Sequence, residues 1–257
     1  VIVLPGTKWQ IPLVQKLKRR GYRVVVLDCY EDQPAYQYAD EHRIVDILDK
    51  ERVYDIAKEY SAAAVLSDEC DIATPTIAWV SEKLGKPSIG MEMADLYTNK
   101  YSMREFARKH GFATPVFYKC FLKEEAVAAY EQYGKKMIMK PLDGNSSRGV
   151  FSICSVQDIK EHFDESMKYS KKEKCVLVEE YIDGEEFSVD GIKTEDGYYT
   201  LAIAHKKHYE TNENLDQELI FKYSDSVYDY DLLRQTNQNY VEATGLKFGL
   251  THAEYKI

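Results

Sequence analysis

What this sequence lacks narrows its class before any motif is read. Its five cysteines (Cys29, Cys70, Cys120, Cys154 and Cys175) are odd in number, scattered, and never form a Cys-x-x-Cys pair. That pattern argues against a disulfide framework or a zinc site and fits free thiols in a reducing compartment, with the cytoplasm as default. No apolar run approaches the ~20 residues needed to cross a bilayer. No signal peptide is visible, although the chain opens inside an apparent strand, so a few preceding residues are expected. Positive charge is in deficit: 34 Lys and Arg face 43 Asp and Glu, a formal charge of −9. A nucleic-acid partner needs a basic face, so that class is disfavoured. There is no P-loop, and the loop after the first strand contains only Gly6 where a dinucleotide fingerprint would need three glycines.

What remains describes a globular protein. The 257 residues are 44% hydrophobic and 30% charged, enough for a full core and for two compact domains. Val1–Leu4 and Arg23–Asp28 read as apolar strands, with a helix over 9–20 between them closed by Gly21. Helix-like and strand-like segments then alternate: 51–60, 62–66, 71–84 and a short strand at Pro87–Ile89. Near-continuous apolar strands between amphipathic helices predict a parallel sheet covered on both faces. Ligands of such sheets collect at the carboxyl ends of the strands. Pro5 to Lys8, Asp28 and Ser67-Asp68-Glu69 fall on that edge. Glu69 is the candidate substrate contact there, and a helix-start carboxylate is the equally ordinary reading.

The centre of the chain is Met137-Ile138-Met139-Lys140-Pro141, a polar loop from Leu142 to Arg148, and a second apolar run over Gly149–Cys154. Glycine at 144 and 149 permits backbone conformations or close approaches that a side chain would block. Ser146, Ser147 and the loop amides are donors, and Lys140 and Arg148 are cations. A strand–loop–strand flap over a polyphosphate would be written this way, and so would a plain surface hairpin. Helices are expected over 101–110, closed by Gly111, over Lys123–Tyr133, closed by Gly134, and over Val156–Tyr169.

In the last third, Phe187–Lys193 and Tyr199–Ala204 predict antiparallel strands joined at Asp196-Gly197. His205-Lys206-Lys207-His208-Tyr209 follows at the strand end as a basic, aromatic cluster. On its residues alone it reads as a solvated charge run, and its histidines have no zinc-like partner set. A helix is expected over Leu232–Ala243, ended by Gly245, and then a central strand over Leu246–Ile257.

Five motifs occur in order: Asn99-Lys100 before a helix, Gly111-x-x-Thr114-Pro115, Lys140-Pro141 through Gly149-Val150, Val178-Glu179-Glu180-Tyr181-Ile182 through Gly184, Glu186 and Asp190, and Gly249-Leu250-Thr251-His252-Ala253-Glu254. Together they make the chain resemble the ATP-grasp superfamily of carboxylate–amine and carboxylate–thiol ligases. The resemblance implies an α/β and α+β architecture. It would comprise an N-terminal Rossmann-like (pre-ATP-grasp) parallel-sheet domain at 1–98, a small central ATP-grasp lobe at 99–182, and a C-terminal antiparallel-sheet lobe at 183–257.

The resemblance also assigns roles. Lys100 and Lys140 match the two lysines that neutralise the ATP phosphates, and the loop from Asp143 to Arg148, with Ser146 and Ser147, would close over them. Glu179 matches the carboxylate that accepts from the adenine amino group, with the Glu180, Tyr181 and Ile182 backbone beside the ring. Exposed strand-end charges are the ordinary reading of Glu179 and Glu180. Glu186 matches the ribose acid, with Glu185 as the adjacent choice, and Lys206 or Lys207 would hold a carboxylate of substrate or intermediate. Glu254 matches the first acidic ligand of Mg2+ (Mn2+ as an alternative). The family's next strand carries a second glutamate, an asparagine and an arginine. The chain stops before them, which predicts that a longer protein continues beyond Ile257.

The implied activity is ATP-dependent amide formation through an acyl phosphate, with small-molecule acid and amine substrates, amino acids among them. Dimers are common in the family. Purine-type carboxylation, formyl transfer and a non-catalytic nucleotide-binding module are the competing readings.

Overall fold

A computed structural model describes residues 1–143, 148–171, 173–209 and 212–257. The chain divides into two compact units, Val1–Thr98 and Asn99–Ile257.

The first unit is a parallel sheet of four strands. In chain order its elements are β1 (Ile2–Leu4), α1 (Ile11–Arg19), β2 (Val25–Asp28), β3 (Glu41–Ile44), α2 (Lys50–Glu59), β4 (Val65–Ser67), α3 (Thr74–Lys83) and α4 (Met91–Leu96). The strand order is β3-β2-β1-β4, all pairs parallel. Strand alternation splits the apolar residues between two cores. Ile2, Leu4, Val25 and Leu27 pack with Val53 and Ala57 of α2 and Val80 of α3. Val3, Val24 and Val26 face the other way, onto Val14 and Leu17 of α1. Burial on both faces is why these strands read as unbroken apolar runs.

Two expectations fail here. Pro87–Ile89 is not a strand, and β3 is a strand that the apolar pattern does not reveal. It lies at the sheet edge with the charged sequence Glu41-His42-Arg43-Ile44, a composition suited to an edge exposed to water.

The second unit holds two antiparallel four-stranded sheets. The first is built from α5 (Lys100–Lys109), β5 (Phe117–Cys120), α6 (Lys123–Tyr133), β6 (Met137–Pro141), β7 (Phe151–Ile153), α7 (Val156–Tyr169) and β8 (Val176–Glu180), in the order β5-β8-β6-β7. Met137, Met139, Val176 and Val178 share one face and pack on Ala126 and Ala129 of α6 and Ile159 and Phe163 of α7. The alternate positions Ile138, Lys140, Leu177 and Glu179 therefore share the opposite face. Leu177 packs there with Tyr101 of α5 and Phe117 of β5.

The second sheet comprises β9 (Glu186–Thr194), β10 (Gly197–Tyr209), β11 (Asn212–Phe221) and β12 (Gly249–Lys256), in the order β11-β10-β9-β12, with α8 (Tyr230–Thr244) between β11 and β12 in sequence. Phe187, Val189 and Ile203 form a core with Tyr230 and Leu233 of α8. Glycine is required at 191, because a Cβ there would come 1.8 Å from the Tyr198 hydroxyl oxygen.

Two strands differ from expectation. β10 does not stop at Ala204 but runs through the basic cluster to Tyr209. β12 pairs with β9 alone among the described residues, so it lies at the sheet edge and not in the centre.

Candidate functional site

Sheet register decides which side chains meet. Across β10, β9 and β12, Lys206 pairs with Glu186, and Glu186 with Lys256; Ser188 pairs with Glu254, and Asp190 with His252. Residues two apart on a strand share a face, so Glu186, Asp190, Lys206, His208, His252 and Glu254 all lie on the face opposite α8. Lys206 is the hub. Its ammonium stands 2.7 Å from Glu186 Oε1, 2.6 Å from Glu254 Oε1 and 3.4 Å from Asp216 Oδ2 of β11. Its side chain is only 10% exposed. Burial alone would lower its pKa, but the carboxylates of Glu186 and Glu254 outweigh burial and raise it. Lys206 is thus a buried, paired cation, and the reading of this cluster as a solvated charge run is overturned.

The alternation also separates neighbours that the sequence leaves equivalent. Lys207 Nζ donates to Glu185 Oε2 at 2.8 Å, and His205 Nε2 lies 2.5 Å from the same oxygen, away from the Lys206 cluster. Of Glu185 and Glu186, only Glu186 meets Lys206; of Lys206 and Lys207, only Lys206 meets Glu254.

Glu254 is held as a carboxylate. The His252 imidazole beside it and the Lys206 ammonium bring its pKa down to about 2, against an opposing effect of burial. His252 Nδ1 in turn lies 2.7 Å from Asp190 Oδ1, and its pKa is pushed up to about 9 by hydrogen bonding to Glu254 and Asp190, against burial. His208 sits between Glu186 Oε2 at 3.5 Å and Asp216 Oδ1 at 3.4 Å, one carboxylate toward each ring nitrogen. One ligand atom from each of Glu186, His208 and Asp216 lies within 4.8 Å of the others, a spacing that could hold a metal ion through a single imidazole nitrogen.

A second ion cluster lies on the face of the other sheet that is turned away from α6 and α7. Lys140 of β6 pairs with Glu179 of β8, which is 2% exposed. Arg104 of α5 donates to the same carboxylate, Nε to Oε1 at 2.7 Å and Nη2 to Oε2 at 3.4 Å. Burial would raise the Glu179 pKa, but Lys140 and Arg104 together lower it. Burial is also the main reason that the Lys140 pKa is lowered; Glu179 opposes the shift and Arg104 adds to it. Two cations share one buried carboxylate, so the cluster keeps surplus positive charge. Glu254 is close enough to act on Lys140 as well, which links the two clusters. Lys100 opens α5 behind an Asn99 cap, and its backbone N–H donates at 3.0 Å to Leu142 O, two residues past Lys140.

After β8 the chain leaves the sheet. Glu180 remains tied to the Val116 N–H, and the Lys136 ammonium lies 3.4 Å from the centre of the Tyr181 ring. Ile182 is 41% exposed. Ser146 and Ser147 lie outside the described residues. Arg148 is exposed, and the next residue, Gly149, has a φ of +73°, with room for no Cβ: one would meet Tyr169 Cδ2 at 2.6 Å. Glu69 belongs to the first unit, in the exposed turn after β4, with a φ of +53° that is uncommon outside glycine. The motifs miss Arg104, Asp216 and His208, and they contain Asp190 without giving it a role. Only Arg104 had a legible signal, its place one helical turn beyond Lys100.

Comparisons with known proteins give this arrangement a family. Residues 133–257 match the model of the ATP-grasp domain, and residues 2–77 match that of the PylC-like N-terminal domain. Residues 133–257 are thus an ATP-grasp domain. A formate-dependent phosphoribosylglycinamide formyltransferase of Prochlorococcus marinus (strain MIT 9301) is 25% identical over 198 residues, covering 75% of this chain and 51% of that protein. The chain spans about half the length of the curated relatives it matches. Among solved structures, an L-amino acid ligase from Bacillus licheniformis matches with a TM-score of 0.80 at 19% identity, over 100% of this chain and 63% of that one. An ADP complex of N5-carboxyaminoimidazole synthetase from Staphylococcus aureus matches with a TM-score of 0.77 at 18% identity, over 100% and 65%. The expected ATP-grasp fold, with a parallel N-terminal sheet and two antiparallel sheets, is borne out. The two ion clusters lie on different sheets of this unit: Lys140 and Glu179 on one, Glu186 and Glu254 on the other. No helix among the described residues is long and apolar enough to cross a membrane.

Proposed function

We propose that this chain binds ATP between the lobes 99–182 and 183–257 and serves an ATP-dependent carboxylate–amine ligase that releases ADP and phosphate. The observation that carries this reading is the Lys140–Glu179–Arg104 cluster, where two cations share one buried carboxylate and a triphosphate would complete the balance. Lys140 and Lys100 bind the phosphates, Glu186 takes the ribose hydroxyls, and the backbone from Glu180 to Ile182 borders the base. Arg148 and the serines 146 and 147 belong to the loop over the phosphates.

In the reaction, an oxygen of the substrate carboxylate attacks the γ-phosphorus and the bond to the β-phosphate oxygen breaks, giving an acyl phosphate and ADP. The amine nitrogen then attacks the acyl carbon, and phosphate leaves with the bond electrons. The residues act by placement and charge, without a covalent enzyme nucleophile. Magnesium, with manganese as an alternative, supplies further neutralisation of the phosphates when bound. Glu254 fits that ion by its chemistry: a carboxylate that stays ionised down to about pH 2 on the exposed side of the cluster. Lys206 bridges the Glu254 and Glu186 carboxylates, and Lys206 or Lys207 is the candidate for the anionic end of substrate or intermediate. Glu69 is the corresponding candidate in the first unit. Small-molecule acids and amines are the proposed partners.

Formyl transfer is a second reading, favoured by the formyltransferases among the relatives of this chain. Formate is itself a carboxylate, so the same first step yields formyl phosphate. Product analysis separates the two. The protein is incubated with Mg-ATP, a pool of amino acids and small carboxylates including formate, and candidate amines, with ADP, AMP and phosphate recorded and products read by mass spectrometry. ADP and phosphate dependent on one acid–amine pair are expected; AMP and pyrophosphate would overturn the mechanism. Lys140→Ala should abolish the ADP signal while the circular-dichroism spectrum is retained.

A further inference from the structure

One group in the buried cluster has no role from the motifs: Arg104. It stands on α5 one turn beyond Lys100, and residues four apart lie on the same side of a helix. Its guanidinium grips both oxygens of Glu179, at 2.7 and 3.4 Å, while Lys140 pairs with Oε2. A planar fork can hold a carboxylate by two parallel bonds, and an ammonium cannot.

We propose that Arg104 is a positioning residue: by holding the Glu179 carboxylate it keeps the Lys140 ammonium only part-neutralised and directed toward an incoming anionic group. Without the guanidinium, Glu179 and Lys140 would close into an isolated pair of zero net charge. A buried pair of that kind has spent its attraction internally and has little left for a third group. With Arg104 in place, the carboxylate is divided between two cations and one positive charge remains. The direction in which Arg104 acts on Lys140 agrees, since its charge lowers the lysine pKa.

The charge coupling stands on geometry alone; the identity of the anionic group as ATP phosphate rests on the proposed function. Two measurements keep these apart. First, the protein labelled with 13C at the lysine ε-carbons is titrated by NMR without nucleotide, assigning Lys140 by its absence in Lys140→Arg. Arg104→Met should raise the Lys140 pKa by roughly one unit, the usual size for loss of one close charge. An unchanged value in the folded variant overturns the proposal. Should Arg104→Met fail to fold, Arg104→Lys keeps the charge but loses the fork and should give a smaller rise of the same sign.

Second, ATP affinity is measured by calorimetry. Arg104→Met should weaken binding about tenfold, and adding Glu179→Gln to it should recover most of that loss, because Lys140 is then no longer captured. Losses that simply add would mean that Arg104 touches the nucleotide itself, and would overturn the positioning role. If the natural protein binds no ATP while the NMR shift occurs as expected, the nucleotide reading falls and the coupling stands.

Discussion

Replacing Lys206 with methionine would remove the cation shared by Glu186, Glu254 and Asp216 and leave carboxylates facing each other. Breaking a buried pair leaves its partners uncompensated, which costs about 3–5 kcal/mol when everything is dry. Glu254 is 53% exposed, so water takes up part of that and about 1–3 kcal/mol is the expected loss in urea unfolding. Lys207→Met is the internal comparison. Its ammonium and its partner Glu185 are each 42% exposed, so its loss should cost about 0–1 kcal/mol. Adjacent lysines of equal charge thus differ because one faces the carboxylates of the sheet and the other faces outward. Equal effects of the two substitutions would show that the register assigned to β10 is wrong.

At the scale of elements, α8 is fastened to the sheet by a buried polar network, not by apolar contact alone. Asn237, fully buried, donates to the Tyr198 hydroxyl at 2.5 Å and accepts from the Tyr255 hydroxyl at 2.9 Å, while Tyr198 and Thr251 hydroxyls meet at 3.1 Å. These residues brace β10 and β12 from behind the face that carries Lys206 and Glu254. Asn237→Leu removes both of its buried hydrogen bonds, to the Tyr198 and Tyr255 hydroxyls, and should cost about 2 kcal/mol in urea unfolding, with Asn239→Leu on the exposed side of α8 near zero. Helices such as α6 and α7 were legible in sequence to the residue because their ends are chemically marked. Gly134 takes the left-handed conformation after α6, and Ser155 and Asp158 form a capping box before α7. The extension of β10 through Lys206 and His208 was not legible, since a charge run looks like the end of a strand when its partners lie on other strands. Arg104, Glu179 and Lys140 are far apart in sequence, and their convergence depends on pairings that local pattern does not encode. The choice between Glu185 and Glu186 had the same obstacle: a one-residue shift exchanges the two faces of a strand, and only β12 and β10 fix which is which.

For the whole molecule, the formal charge of −9 says little about this site, where surplus positive charge sits on one sheet and a lysine binds three carboxylates on the other. Its pH behaviour follows from the acidic and basic groups that folding perturbs, and their signs are opposite. Glu254 is lowered from 4.5 to about 2, and Glu179, Glu180 and Glu185 are lowered too. Each therefore contributes stability that is full above its ordinary value and is lost as pH falls through its folded value. His252 is raised from 6.5 to about 9, so its contribution is full below 6.5 and is lost as pH rises through 9. The two sets leave a window between roughly pH 5 and 6.5 in which these four carboxylates are ionised and His252 is protonated. Thermal melts followed by circular dichroism should accordingly give the highest Tm in that window, with an acid limb falling from pH 4.5 to 2 and a shallower alkaline limb between 6.5 and 9. His252→Asn should flatten the alkaline limb selectively, because asparagine keeps a donor toward Asp190 but has no proton to lose. If the limb persists unchanged in that variant, His252 is not the group that titrates, and the ion pairing assigned to Asp190, His252 and Glu254 fails with it.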